Sequence, residues 1–127
     1  MPDHASIECS LTQAEFDLFA LLSGDDNPIH VDPAFAARTR FGRTVAHGLH
    51  LCSILRGLAG RLRPGAGLAG QDVRFPAPTY AGEPMRFSAM VTEGGGGNAM
   101  TRVAVKAERL TDGTVTCEGF FEMDGAA

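Results

Sequence analysis

The sequence predicts an α+β fold in which an antiparallel β-sheet wraps around one long central helix. Three observations lead there. Residues 48–62 are apolar around most of a helical wheel, and such a helix needs cover on nearly every side. The second half of the chain carries strand patterns joined by short turns, which favours antiparallel pairing. The order of elements is a strand, two or three helices, then four strands. Neither a linker nor an internal repeat interrupts the 127 residues, so 1–127 is read as one domain.

Each element has a local reason. Residues 5–10 alternate weakly and read as a first strand. Thr12-Gln13-Ala14-Glu15 is a capping-box pattern, in which the Thr hydroxyl and the Glu carboxylate satisfy early helix amides. Phe16, Phe19, Ala20 and Leu22 follow at helical spacing, and Gly24 tolerates the left-handed backbone of a helix stop, so a helix is expected from about 12 to 23. Asp26-Asn27-Pro28 makes residues 24–31 an ordered turn. Asp32-Pro33 is an N-cap followed by Pro at the first helical position; it predicts a short helix to about residue 40. Phe41-Gly42-Arg43-Thr44 breaks it. In 48–62, Leu49, Cys52, Ile54, Leu55, Leu58, Ala59 and Leu62 cover much of the circumference, and Arg63-Pro64-Gly65 ends the run.

Residues 68–75 read as the second strand, with Pro76 and Pro78 beyond it as a kink or edge. A turn over 80–84 leads to a strand over 85–93, and glycines at 94–97 predict a flexible loop. Residues 100–110 alternate cleanly. Thr101, Val103, Val105, Ala107 and Arg109 face one way, Met100, Arg102, Ala104, Lys106 and Glu108 the other. Thr111-Asp112-Gly113 signals a hairpin into a last strand over 114–123.

Hydrophobic residues make up 44% and charged residues 20%, ordinary for a globular protein, and the net charge of −4 argues against nucleic-acid binding. Six of the eleven basic residues fall within 26 positions: Arg38, Arg40, Arg43, Arg56, Arg61 and Arg63. That cluster either meets phosphates of a cofactor-like substrate or is a solvated face. Three widely spaced cysteines, Cys9, Cys52 and Cys117, with no Cys-x-x-Cys, favour a reducing compartment over a disulfide framework. No signal-peptide pattern opens the chain, and no apolar run is long enough to cross a bilayer. A cytoplasmic protein without membrane association is expected.

The chemistry concentrates in Ser23-Gly24-Asp25-Asp26-Asn27-Pro28-Ile29-His30. A carboxylate accepts a proton from water, and an imidazole both accepts and donates near neutral pH. Asn27-Pro28 folds the chain so that Asp25 and His30 approach each other. In isolation either residue would be a cap or an ordinary histidine; together in this turn they read as a catalytic acid/base pair. Asp26 is expected to be exposed, and Asn27 to fix the turn by bonding backbone amides. Ala46-His47-Gly48 opens the long helix. A Gly48 N–H at the positive end of a helix can bind a thioester oxygen as it becomes an enolate. His47, like Asn27, is assigned a supporting or turn role. His47 and His50 share a helix face, but two histidines without a third ligand make a poor metal site, and none is expected. No nucleophile elbow and no phosphate-binding glycine loop occurs. The whole points to adding water to, or removing it from, an activated carbonyl compound.

Residues 19–36, Phe-Ala-Leu-Leu-Ser-Gly-Asp-Asp-Asn-Pro-Ile-His-Val-Asp-Pro-Ala-Phe-Ala, and 40–48, Arg-Phe-Gly-Arg-Thr-Val-Ala-His-Gly, resemble the MaoC-like, (R)-specific enoyl-CoA hydratase family. Residues 71–83 resemble the strand-turn segment of that family more weakly. The resemblance spans most of 16–90. It implies a hotdog fold and a homodimer with sites near the subunit interface. It also implies reversible syn hydration of a trans-2-enoyl thioester to an (R)-3-hydroxyacyl thioester. Asp25 and His30 would act on the water and Gly48 on the thioester carbonyl. No metal or redox cofactor is implied; coenzyme A enters only as part of the substrate, and acyl carrier protein is the other possible carrier. Asp26 departs from the family, which often has an apolar or aromatic residue there. An acyl-thioesterase on the same fold, and a non-catalytic acyl-thioester-binding subunit of a hetero-oligomer, are the alternatives.

Overall fold

A computed structural model describes residues 2–94 and 100–125. The elements are β1 (His4–Ser10), α1 (Gln13–Ser23), α2 (Pro28–Val31), α3 (Pro33–Ala37), α4 (Gly48–Leu62), β2 (Leu68–Arg74), β3 (Pro84–Glu93), β4 (Thr101–Arg109) and β5 (Val115–Met123). The strands form one antiparallel sheet in the order β1-β3-β4-β5-β2. The sheet curls over α4, and the fold is the predicted α+β hotdog architecture.

The register explains the core. Phe87 pairs with Ala107, Ala89 with Val105 and Val103 with Phe121. These six side chains point inward and are buried. Leu51, Leu55, Leu58 and Leu62 of α4 join them in one cluster. Their spacing of three and four puts them on one side of the helix. The alternation predicted for 100–110 holds, with Thr101, Val103, Val105 and Ala107 buried. Gly119, at φ +154, lets β5 pass close to β2, because a side chain there would run into the Asp72 carbonyl.

Three details differ from expectation. α4 is not buried all round: Leu49, Ser53, Gly57 and Arg61 line an exposed stripe, and Leu49 is 65% exposed. Counting apolar residues hides this, since the stripe contains one leucine and one glycine. Residues 28–31 form a single helical turn inside the predicted loop, because Asn27 caps it and Pro28 presets its first φ. α3 ends at Ala37, short of residue 40. Its last carbonyls are taken by tighter bonds, Arg38 N–H to Phe35 O at 3.0 Å and the Thr39 hydroxyl to Ala36 O at 2.7 Å. The capping box is present: the Thr12 hydroxyl accepts from the Glu15 N–H at 3.1 Å, and the Glu15 carboxylate accepts from the Thr12 N–H at 3.2 Å. The loop predicted over 94–97 lies, apart from Gly94, outside the described residues. Among the described residues, no helix is long and apolar enough to cross a membrane.

Candidate active site

Gly24, at φ +80, ends α1 and sends the chain back toward α4. Local bonds then shape the turn. The Asp25 N–H donates to Ser23 Oγ at 3.1 Å, and Asn27 Oδ1 accepts from the Ile29 N–H at 3.1 Å. His30 sits in α2, and its backbone carbonyl accepts from Gln13 Nε2 at 2.9 Å. Gln13 Oε1 in turn accepts from the Thr44 hydroxyl at 2.6 Å. His30 is thereby tied both to α1 and to the segment that leads into α4.

The His30 ring has a defined tautomer. Its Nδ1 lies 2.7 Å from the Val45 carbonyl, which can only accept, so Nδ1 carries the hydrogen. In the neutral ring Nε2 is then bare, and it faces Asp25 Oδ2 at 3.9 Å. The His30 side chain is 14% exposed and that of Asp25 58%, so the pair grades from protein into open space.

His47 and Gly48 complete the group. His47 is 2% exposed. Its Nε2 lies 2.8 Å from the Asp25 carbonyl, and its ring stacks on His30 with centroids 3.8 Å apart. His47 is the N-cap residue of α4, with extended backbone, yet its side chain makes no capping bond. The first N–H groups of α4, Gly48 included, have no partner further back in the helix, and the helix dipole is positive there. A Cβ at Gly48 would stand 2.8 Å from Cζ of Phe75 and 3.1 and 3.2 Å from its Cε atoms. Glycine is what allows Phe75 to pack on the helix start.

A cavity of about 470 Å³ is lined by Asp25, His30, His47, Gly48, Cys52 and Phe75, among others. A second, of about 600 Å³, is lined by Arg40, Phe41, Tyr80 and Thr116 and shares Gly48 and Phe75 with the first. Gly48 therefore sits where the two meet. The thiol of Cys52 is pushed down to about 7 by its hydrogen bond with Cys117. The Cys117 thiol is raised by the same bond and by burial. Burial also holds His50 below the usual imidazole range.

The structure brings Asp25, His30 and Gly48 to one cavity and adds His47 to them. Asn27 caps α2 rather than facing the cavity, and Asp26 is exposed. His50 does not join His47 as a donor pair: it stacks on Phe19 at 4.9 Å. Among the described residues, the set that could hold a metal ion is instead Asp25, His30 and His47, whose ligand atoms lie within 4.8 Å of one another. One imidazole nitrogen of that set already donates to the Asp25 carbonyl. The clustered arginines have separate engagements. Arg43 stacks on Tyr80 at 4.0 Å, Arg56 donates to the Ala66 carbonyl at 3.1 Å, and Arg63 pairs with Asp3 at 2.9 Å. Arg40 lines the second cavity. Sequence reasoning missed Gln13, Thr44, Phe75 and Cys52 as site residues. Only Cys52 had a usable signal, its spacing of four from Gly48 on one helix.

Comparison with known proteins gives the family and the fold. Residues 2–113 match the MaoC like domain family. An (R)-specific enoyl-CoA hydratase of Aeromonas caviae is 44% identical over 81 residues, which cover 62% of this chain and 60% of that protein. The matched stretch thus spans about three fifths of the length of that relative. The 3-hydroxyacyl-thioester dehydratase Z of Mycobacterium tuberculosis strain H37Rv is 34% identical over 126 residues, covering 93% of this chain and 75% of the relative. Among solved structures, the (R)-hydratase from A. caviae involved in PHA biosynthesis superposes with a TM-score of 0.90 at 28% identity, covering 100% of this chain and 98% of the other.

Proposed function

The chain belongs to the MaoC-like family, and we propose that it is a hydro-lyase. It adds water to a trans-2-enoyl thioester to give the (R)-3-hydroxyacyl thioester, or removes it in reverse. One observation carries this reading: Asp25 Oδ2 and His30 Nε2 face each other at 3.9 Å, in the same cavity as the opening amide of α4. That gap is too long for a direct hydrogen bond and suits one water bonded to both groups at about 2.8 Å.

The water oxygen bonds to Cβ of the enoyl group. Its proton passes through the Asp25–His30 pair to Cα, so only water is consumed. Because both atoms are delivered from one side of the cavity, addition is syn. Charge that develops on the thioester oxygen is met by the Gly48 N–H. Losing a donor of this kind typically costs ~10²–10³ in rate. The Val45 carbonyl holds the His30 ring so that Nε2, and not Nδ1, exchanges the proton. The chemistry requires no metal or redox cofactor. The thioester carrier is coenzyme A or acyl carrier protein, extending from Gly48 into the second cavity past Arg40.

The working unit is a homodimer acting in the cytoplasm. Among the described residues, β2 is an edge strand paired with β5 alone, and beside it Phe75 is 46% exposed. A second copy would cover both. Free Cys9, Cys52 and Cys117 accord with a reducing compartment. The test is ultraviolet absorbance of a short trans-2-enoyl-CoA with the purified protein. Loss of the conjugated-enoyl band, absent with Asp25→Asn, is expected. An unchanged band with several chain lengths on both carriers would overturn the reading, and release of free thiol would indicate thioester hydrolysis instead.

A further inference from the structure

We infer that His47 is a positioning residue, holding the water-activating pair in register with the amide that receives the thioester oxygen. The inference rests on the hydro-lyase reading above and assigns a mechanical part to a residue that acts through Asp25 and His30.

Three contacts meet at this one side chain. Its Nε2–H donates to the Asp25 carbonyl at 2.8 Å, across 22 residues of sequence. Its ring stacks on His30 at 3.8 Å with planes 22° apart. Phe19 lies against it at 4.7 Å. The next peptide carries the Gly48 N–H. Asp25, His30 and Gly48 are thus all within one residue or one contact of His47.

The position is also chemically unusual. Ser, Thr, Asp and Asn are the residues that cap helix N-termini well. Here the capping position holds a histidine whose side chain turns away from the helix and bonds the turn after α1. A capping hydroxyl or carboxylate would occupy early amides of α4; His47 leaves them available. The bond runs to the backbone carbonyl of Asp25, so it holds the residue whatever the protonation state of the carboxylate. Among the described residues, Nδ1 of His47 is buried with no protein partner, so the ring's one hydrogen bond there is through Nε2. Misplacement of catalytic groups by about 1 Å can cost ~10²-fold in rate, so a side chain with this many attachments has leverage on turnover.

The test uses three readouts. In the wild-type protein, nitrogen-15 NMR of the imidazoles should find opposite tautomers, Nε2–H for His47 and Nδ1–H for His30. His47→Leu keeps bulk but removes the donor; His47→Gln places an amide N–H near the former Nε2. With a short trans-2-enoyl-CoA, His47→Leu should lower kcat ~10²-fold. KM and calorimetric binding of butanoyl-CoA should stay within about threefold. His47→Gln should recover about tenfold of the lost kcat. A His47 found as Nδ1–H would overturn the inference. So would a folded His47→Leu enzyme with wild-type kcat, or a Gln variant no better than Leu. A wild-type protein that turns over no enoyl thioester would sink the hydro-lyase reading alone, and the tautomers would still decide the bond to Asp25.

Discussion

On the outer face of the sheet, a charge pair crosses every strand junction. Arg86 of β3 reaches Glu8 of β1 at 2.9 Å and Glu108 of β4 at 3.1 Å; Arg102 of β4 reaches Glu122 of β5 at 2.7 Å; Arg74 of β2 reaches Glu118 of β5 at 3.1 Å. Each pair duplicates what the backbone ladder already does. At the N-terminal end of α4 the side-chain hydrogen bonds that orient the reacting groups come singly. His30 is oriented by one bond to Val45, and the Asp25 carbonyl is held by one bond from His47. The sheet distributes its support over many contacts that are each dispensable. The site depends on single contacts, and geometry there is as fragile as its weakest one. Substitutions should therefore divide cleanly: at the site they change rate and spare stability, in the sheet and core they change stability and spare rate.

The sharpest division is expected from Asp25→Asn and His30→Ala. Each should lower kcat/KM by ~10²–10⁴ while thermal unfolding stays near wild type. If either keeps near-wild-type turnover, the site half of the comparison fails. Leu55→Ala should do the opposite. Leu55 is fully buried on α4, and its truncation should cost about 2–5 kcal/mol in denaturant unfolding, with unchanged kcat for the folded fraction. Gly48→Ala tests the junction of the two regions. The added methyl meets the Phe75 ring, so a loss of roughly 10²-fold in kcat is expected, and Phe75→Leu in the same chain should restore part of it.

A smaller effect concerns Cys52. Its thiol is pushed down to about 7 by the bond with Cys117, so thiolate is lost as pH falls below that value and gained above it. Iodoacetamide labelling, read by mass spectrometry, should rise through pH 7 and level off. Cys117, raised and fully buried, should stay unlabelled. Labelling that tracks an ordinary thiol, near pH 8.5, would remove the coupling. The smallest effect belongs to Arg102→Ala, at most about 1 kcal/mol of stability and no change in rate, because its partner pair is partly solvated and the ladder beneath it is intact.

Much of this was readable in the chain. The capping box at Thr12, the stop at Gly24, the turn through Asn27-Pro28 and the alternation of β4 are set by neighbours within a few residues. Local chemistry such as φ preference, side-chain capping and a period of two decides them. The approach of Asp25 to His30 was readable for the same reason, since one turn encloses both. The exposed stripe on α4 was not, because periodicity shows where apolar residues lie and not which face the sheet covers.

What the sequence by itself determined is therefore the set of parts: a turn with a carboxylate and an imidazole, a helix that opens on glycine, and strands of a known inward face. The tertiary structure alone decided how they meet. Gln13 reaches the His30 carbonyl, Phe75 rests on Gly48, and His47 bonds the carbonyl of Asp25. Two of these three contacts end on a backbone carbonyl and the third on a glycine Cα. Every residue has a carbonyl, and a glycine presents no side chain to match. Such partners leave no pattern in residue type, and only the folded chain selects them.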